Sequence, residues 1–142
     1  MELITLMEKE TTTCLANLPY FQIESTQSTP KIILDSEKGT LIFEGHSLPE
    51  NPITFYNPVK NWIKEYLEDP SKETFVKFNL DYFNTASSKV IMNIIEMFKV
   101  LDNDQHKITI EWHYQMDDVD TLEAGEEFAQ MAGMDFIFIS YI

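Results

Sequence analysis

Residues 74–89 read TFVKFNLDYFNTASSK, and this stretch decides the fold. Up to Tyr82 it alternates. Thr74, Val76, Phe78, Leu80 and Tyr82 fall on one side, and Lys77, Asn79 and Asp81 fall on the other. That is the two-residue period of a strand with one buried face. The alternation then stops at Asn84-Thr85-Ala86-Ser87-Ser88-Lys89. From about Ala86 to Leu101 the apolar residues Val90, Ile91, Ile94, Ile95, Phe98 and Leu101 recur at helical spacing. A one-faced strand running straight into an amphipathic helix is half of a β-α-β unit.

The pattern extends in both directions. Lys107 to Gln115 alternates again, with Ile108, Ile110, Trp112 and Tyr114 set against Thr109, Glu111 and His113. A third helix is expected over about Val119–Met131, with Gly133 near its end. Phe136–Tyr141 reads as a closing apolar strand. Upstream, Asn57-Pro58 is a helix-start signal, because Asn can cap and Pro is tolerated at the first helical position. Val59, Trp62, Ile63, Tyr66 and Leu67 follow it at helical spacing, and Asp69-Pro70 ends the run. Lys31–Asp35 and Thr40–Gly45 read as a hairpin through Ser36-Glu37-Lys38-Gly39. Leu18–Glu24 reads as an earlier strand, and His46–Asn51 as a loop. The expected fold is α/β, a two-layer sandwich in the order β-β-β-α-β-α-β-α-β. Its mixed sheet has helices mainly on one face, since same-direction crossovers of one hand land together. The polar sides of Thr74–Tyr82 and Lys107–Gln115 fit a sheet face that is not fully covered. A single domain over 18–142 is expected, with 1–17 an extension of uncertain structure.

Composition narrows function. The 142 residues carry 24 acidic against 10 basic side chains, a net charge of −14. A field of that sign repels nucleic acid and anionic lipid, so neither is expected as a partner, and a basic protein surface fits better. All ten basic residues are lysine, so no guanidinium fork is present to grip a phosphate or carboxylate in two places. No apolar run approaches a membrane span, the start MELITLMEKETTT has no basic leader, and Cys14 stands alone. These features point to the cytoplasm.

Enzymatic chemistry finds little support. His46, His106 and His113 are scattered and form no motif with Cys14 or a serine. A small enzyme using His113 with nearby acids is the one catalytic alternative, and only the fold could assemble it. Asp117, Asp118 and Asp120 lack the glycine-bearing spacing of a calcium loop and suit a helix N-terminus, where acids cap and offset the dipole. The four glycines are dispersed, so there is no phosphate-cradling loop. No metal and no cofactor is implied. Trp62, Trp112, Tyr82 and Tyr114 fall on apolar faces, which assigns them to the core.

What remains is the junction at residues 84–89. Asn84 or Thr85 can be the helix N-cap, and serines are tolerated in a first turn. In that reading Thr85 is only a cap on a constitutive binding module. The same address also suits a phosphate, because a hydroxyl there sits among unpaired N–H groups at the positive end of the dipole. Lys89 is misplaced so near that end unless an anion is close.

Five pieces of the chain, in order, resemble the SiaC family of bacterial regulatory phosphoproteins. They are Thr26-Gln27-Ser28-Thr29-Pro30; Gly39-Thr40-Leu41 with Gly45-His46-Ser47-Leu48-Pro49-Glu50-Asn51; Tyr82-Phe83-Asn84-Thr85-Ala86-Ser87-Ser88-Lys89; Glu111-Trp112-His113-Tyr114; and Glu123-Ala124-Gly125-Glu126-Glu127-Phe128. The resemblance implies a fold like the STAS-type anti-sigma-factor antagonists and a non-enzymatic partner switch. It implies that Thr85 is phosphorylated by a serine/threonine protein kinase and dephosphorylated by a metal-dependent serine/threonine phosphatase. It implies that the unphosphorylated form activates a diguanylate cyclase and raises cyclic-di-GMP. Ala86 stands where the family commonly has serine. Asn84, Ser87, Ser88, Lys89, Glu50 and Asn51 are the expected partner-contacting residues around Thr85.

Overall fold

In the computed structural model, which describes residues 18–142, the elements run β1 (Phe21–Ile23), β2 (Lys31–Asp35), β3 (Thr40–Ser47), α1 (Pro52–Tyr66), β4 (Glu73–Phe83) and α2 (Thr85–Met97). A 3-10 turn follows over Phe98–Leu101, then β5 (Lys107–Gln115), α3 (Val119–Ala132) and β6 (Ile137–Tyr141). This is the expected element order. The six strands form one sheet whose spatial order equals their chain order. β1, β2 and β3 pair antiparallel, and β3 through β6 pair parallel, so the sheet is mixed. Each helical crossover advances one strand in the same direction, and the fixed hand of such crossovers places all three helices on one face.

The core lies between that face and the helices. Ile32, Leu34, Leu41, Phe43, Val76, Phe78, Leu80, Ile110 and Trp112 rise from the sheet to meet Val59, Ile63, Ile91, Ile94, Ile95 and Phe98. Each such side chain, fully buried, contributes roughly 1.5–3 kcal/mol. Trp112 is central: its ring packs against Phe78, Phe83, Phe128 and Phe136, and its Nε1 donates to the Thr121 carbonyl at 2.9 Å. α3 comes so close that a Cβ on Gly125 would stand 2.5 Å from the indole. Gly133 ends α3 in the left-handed conformation (φ 68°), and the Lys99 ammonium donates to the carbonyls of Ala132 and Gly133 at 2.9 Å each.

Three boundaries and one strand register differ most from expectation, each for a local reason. α1 begins at the earlier of two Asn-Pro pairs. Asn51 caps it, accepting from the Thr54 N–H at 3.1 Å, and Pro52 occupies the first turn. Pro58 therefore lies inside the helix, where its ring removes the N–H that would have bonded the Thr54 carbonyl. β3 runs on through His46 and Ser47 because both still pair with β4. β1 shrinks to Phe21–Ile23, while Leu18 and Pro19 spend their carbonyls on Ser36 and the Trp62 indole instead. Finally, Gly45 pairs with Leu80 but His46 pairs with Tyr82, so Asp81 is one residue too many. This bulge reverses the alternation. Tyr82, expected in the core, is 52% exposed, and Phe83 turns inward onto Trp112 and Phe128.

No helix among the described residues is long and apolar enough to cross a membrane. The expected extension over 1–17 and Cys14 lie outside the described residues.

Candidate functional site

Parallel strands followed directly by helices bring every helix N-terminus to one edge of the sheet, the edge formed by the strands' C-terminal ends. At β4 that edge is the junction at residues 84–89. Asn84 is the N-cap: its side chain accepts from the Ser87 N–H at 2.8 Å, its carbonyl from the Ser88 N–H at 2.9 Å, and its own N–H donates to the Ser47 carbonyl at 3.2 Å. Capping therefore falls to Asn84 and not to Thr85. Thr85 is the first helical residue, exposed to solvent, and its hydroxyl makes no hydrogen bond among the described residues. No acidic side chain occupies the first turn of α2.

Beneath this turn lies a chain of buried hydroxyls. The Ser87 Oγ is 3.0 Å from the Ser47 Oγ, and the Ser47 Oγ is 2.7 Å from the Tyr56 Oη. Ser47 and Ser87 are fully buried and Tyr56 nearly so. Burial pushes the Tyr56 phenol up to about 12, against the opposing pull of its bond to Ser47. The chain ties the end of β3, the first turns of α1 and the start of α2 together. Ser87, expected at the partner surface, is thus an interior hydroxyl that seats the helix. Sequence reading missed Ser47 and Tyr56. The signal was there, since Tyr56 continues the α1 stripe of Val59, Ile63 and Tyr66, but a helix started at Asn57 leaves it outside.

The other expected contact residues reach the surface. Ser88 is half-buried, and Lys89, Glu50 and Asn51 are exposed. Glu50 and Asn51 sit at the start of α1, beside the α2 start because β3 and β4 are neighbours. Around the bulge, on the sheet face that carries no helix among the described residues, Asp81 accepts from the Tyr141 hydroxyl at 3.3 Å and stands 3.6 Å from the His46 Nδ1. Tyr141 also donates to the Asn79 side chain at 3.1 Å. Partial burial, then Asp81 and Asp118, push the Tyr141 phenol above its usual range.

The histidines remain apart in their bonding. His46 faces Asp81, His106 bonds Asn103 in the loop before β5, and His113 meets Glu111 at 2.8 Å on the sheet surface. Among the described residues no group of three potential ligands could hold a metal. Of the three aspartates around the start of α3, Asp118 is the cap, bonding the N–H and hydroxyl of Thr121 at 3.1 and 2.7 Å. A groove of about 650 Å³ between the lead into β1 and α1 contains none of the expected site residues.

Several of the five family-like pieces meet one another in space. Residues 26–30 form a turn closed by Thr26 and Thr29, and the Ser28 carbonyl holds the Leu48 N–H at 2.7 Å. Ser47 in turn holds Asn84 and Ser87, and Gly125 and Phe128 pack on Trp112. The family described as SiaC family regulatory phosphoprotein matches residues 23–141. An uncharacterised protein of Pseudomonas aeruginosa (strain UCBPP-PA14) is 31% identical over 114 residues, covering 80% of this chain and 90% of the relative. The crystal structure of apo-SiaC from Pseudomonas aeruginosa superposes with a TM-score of 0.73 at 27% identity, covering 87% of this chain and 99% of that one. A chain in the crystal structure of the diguanylate cyclase SiaD in complex with its activator SiaC, from the same organism, gives 0.79 at 29% identity, covering 85% and 99%.

Proposed function

Because the chain belongs to the SiaC family of regulatory phosphoproteins, we propose that it is a non-enzymatic, cytoplasmic adaptor switched by reversible phosphorylation of Thr85. A serine/threonine protein kinase adds the phosphate and a metal-dependent serine/threonine phosphatase removes it. The unphosphorylated form binds and activates a diguanylate cyclase and so raises cyclic-di-GMP, as the complex of SiaD with its activator SiaC suggests.

One observation carries this reading. Asn84 does the capping, so the Thr85 hydroxyl is exposed and bonds nothing among the described residues, at a helix N-terminus with no acid in its first turn. A phosphate there adds roughly −1.5 to −2 of charge where the dipole and the free N–H groups of the first turn favour it. With no arginine in the chain, the phosphate has no internal fork to clamp onto. Its effect falls on the partner: a contact built around a neutral threonine would have to desolvate a near-dianion.

The test is intact-mass measurement after incubation with ATP and each serine/threonine protein kinase of the same genome. One phosphate is expected on the wild type and none on Thr85→Ala. The phosphorylated protein should no longer stimulate the cyclase. An unmodified wild type, or a phosphate retained by Thr85→Ala, overturns the assignment.

A further inference from the structure

The bulge at Asp81 is costly by the ordinary rules of a strand. Without it, Tyr82 would keep the alternation of Thr74–Leu80 and be buried; with it, Tyr82 stands 52% exposed on the sheet face that carries no helix among the described residues. Local rules broken in an otherwise consistent fold concentrate at functional places, and bulges recur where a side chain is re-aimed. Here the re-aimed side chains are Tyr82, turned out, and Phe83, turned in, while Asp81 stays on the outer face beside Tyr82. The register sets Tyr82 beside His46, and Asp81 lies 3.3 Å from the Tyr141 hydroxyl, which it shares with Asn79, and 3.6 Å from the His46 Nδ1, while half of its side chain stays exposed. The carboxylate is positioned without being covered.

We infer that this corner, Asp81 and Tyr82 with His46 and Tyr141 behind them, is the surface on which a basic segment of the partner protein docks, with a lysine or arginine on Asp81 and its stem or plane against Tyr82. The inference rests on the switch proposed above and names where its partner sits. Charge selects the occupant. The chain is −14 overall, and Asp118 lies near enough to act on Tyr141 alongside Asp81. A second copy would bring like charge to the same place, and nucleic acid or an anionic membrane would be repelled outright. A guanidinium is the best match to a held carboxylate beside an aromatic face, and this chain has none to offer. Exposed tyrosines near a held charge are the kind of residue that dominates an interface.

The corner also explains how one phosphate could be read. Thr85 is three residues from Tyr82, at most about 11 Å of chain. A partner covering ~800 Å² spans both. The phosphate and the docked segment therefore share one footprint.

The experiment titrates the full chain with the diguanylate cyclase of the same genome, by calorimetry at two salt concentrations, for wild type, Asp81→Asn and Tyr82→Ala. Each variant should bind at least ten-fold more weakly, and Asp81→Asn should also flatten the loss of affinity with salt. Unchanged thermal unfolding of the two surface variants separates lost contact from lost fold. Affinities within two-fold of wild type for both folded variants overturn the corner and leave the switch standing. A wild type that binds no cyclase, phosphorylated or not, overturns the switch and the corner with it.

Discussion

The starts of α2 and α3 occupy equivalent places in the fold and differ in charge. Each follows a parallel strand, each is capped by a side chain with a carbonyl oxygen at Oδ1, and each buries a hydroxyl residue at its third position. Asn84 holds the Ser87 N–H at 2.8 Å; Asp118 holds the Thr121 N–H at 3.1 Å. At the second position α3 has Asp120 and α2 has Ala86. At the first, α3 exposes Val119 and α2 exposes Thr85. The α3 dipole is therefore offset by two carboxylates from its own chain, while the α2 dipole meets only a neutral cap. The same backbone device is closed in one place and left open to an incoming anion in the other.

The seats of the two helices also differ, and that difference can be broken first. α3 rests its backbone on a flat ring, so Gly125→Ala drives a methyl into the buried indole of Trp112. Thermal or denaturant unfolding should show a loss of ~3 kcal/mol, a fall in Tm on the order of 10 °C. A loss below 1 kcal/mol would mean that α3 slides freely on the ring.

α2 rests instead on the hydroxyl chain through Ser47 to Tyr56. The folded state holds the Tyr56 phenol at about 12, above the 10.0 of an exposed tyrosine. A raised value favours the protonated form, so its contribution is complete below pH 10 and is lost as pH rises toward 12. Wild-type stability should fall in that window by about 1.4 kcal/mol per pH unit more than that of Tyr56→Phe. At pH 7 the same variant should cost about 1 kcal/mol. Parallel pH profiles for the two proteins would remove Tyr56 from the seat.

The smallest change converts one helix start into the other. Ala86→Asp places a carboxylate where α3 has Asp120, and should stabilise the unphosphorylated protein by about 0.5 kcal/mol. It should also slow phosphorylation of Thr85, because the new charge opposes the incoming one. A variant phosphorylated at the wild-type rate would detach the open dipole from the switch.

Much of the fold was legible because the core has a single face. Thr74–Leu80 and Ile108–Trp112 alternate cleanly, and Val90–Leu101 keeps its helical stripe, since only one side of each element is buried. The reading failed where pairing and periodicity disagree. Tyr82 continues the alternation on paper, and only the register with His46 exposes Asp81 as the extra residue. The two Asn-Pro pairs at 51–52 and 57–58 carry the same local signal, and tertiary contact chose the first. At the site, the address of Thr85 was readable, but the division of labour around it was not. Asn84 and Thr85 are both competent caps, and it is the bond from Asn84 to Ser47 across the sheet that decides between them. Ser87 looked like one more surface hydroxyl because nothing in its own turn reveals Ser47 and Tyr56 beneath it.

The identity of spatial and chain order in the sheet has a consequence for how the molecule assembles. Every strand pairs with the strand before it in sequence, so no gap has to be held open for a later segment to insert. Parallel sheets are slow to form when their neighbours are distant along the chain. Here each crossover joins strands that are neighbours both in sequence and in the sheet, so the search at every step is local. The sheet can be laid down strand by strand during synthesis, with each helix covering the pair it joins before the next strand arrives.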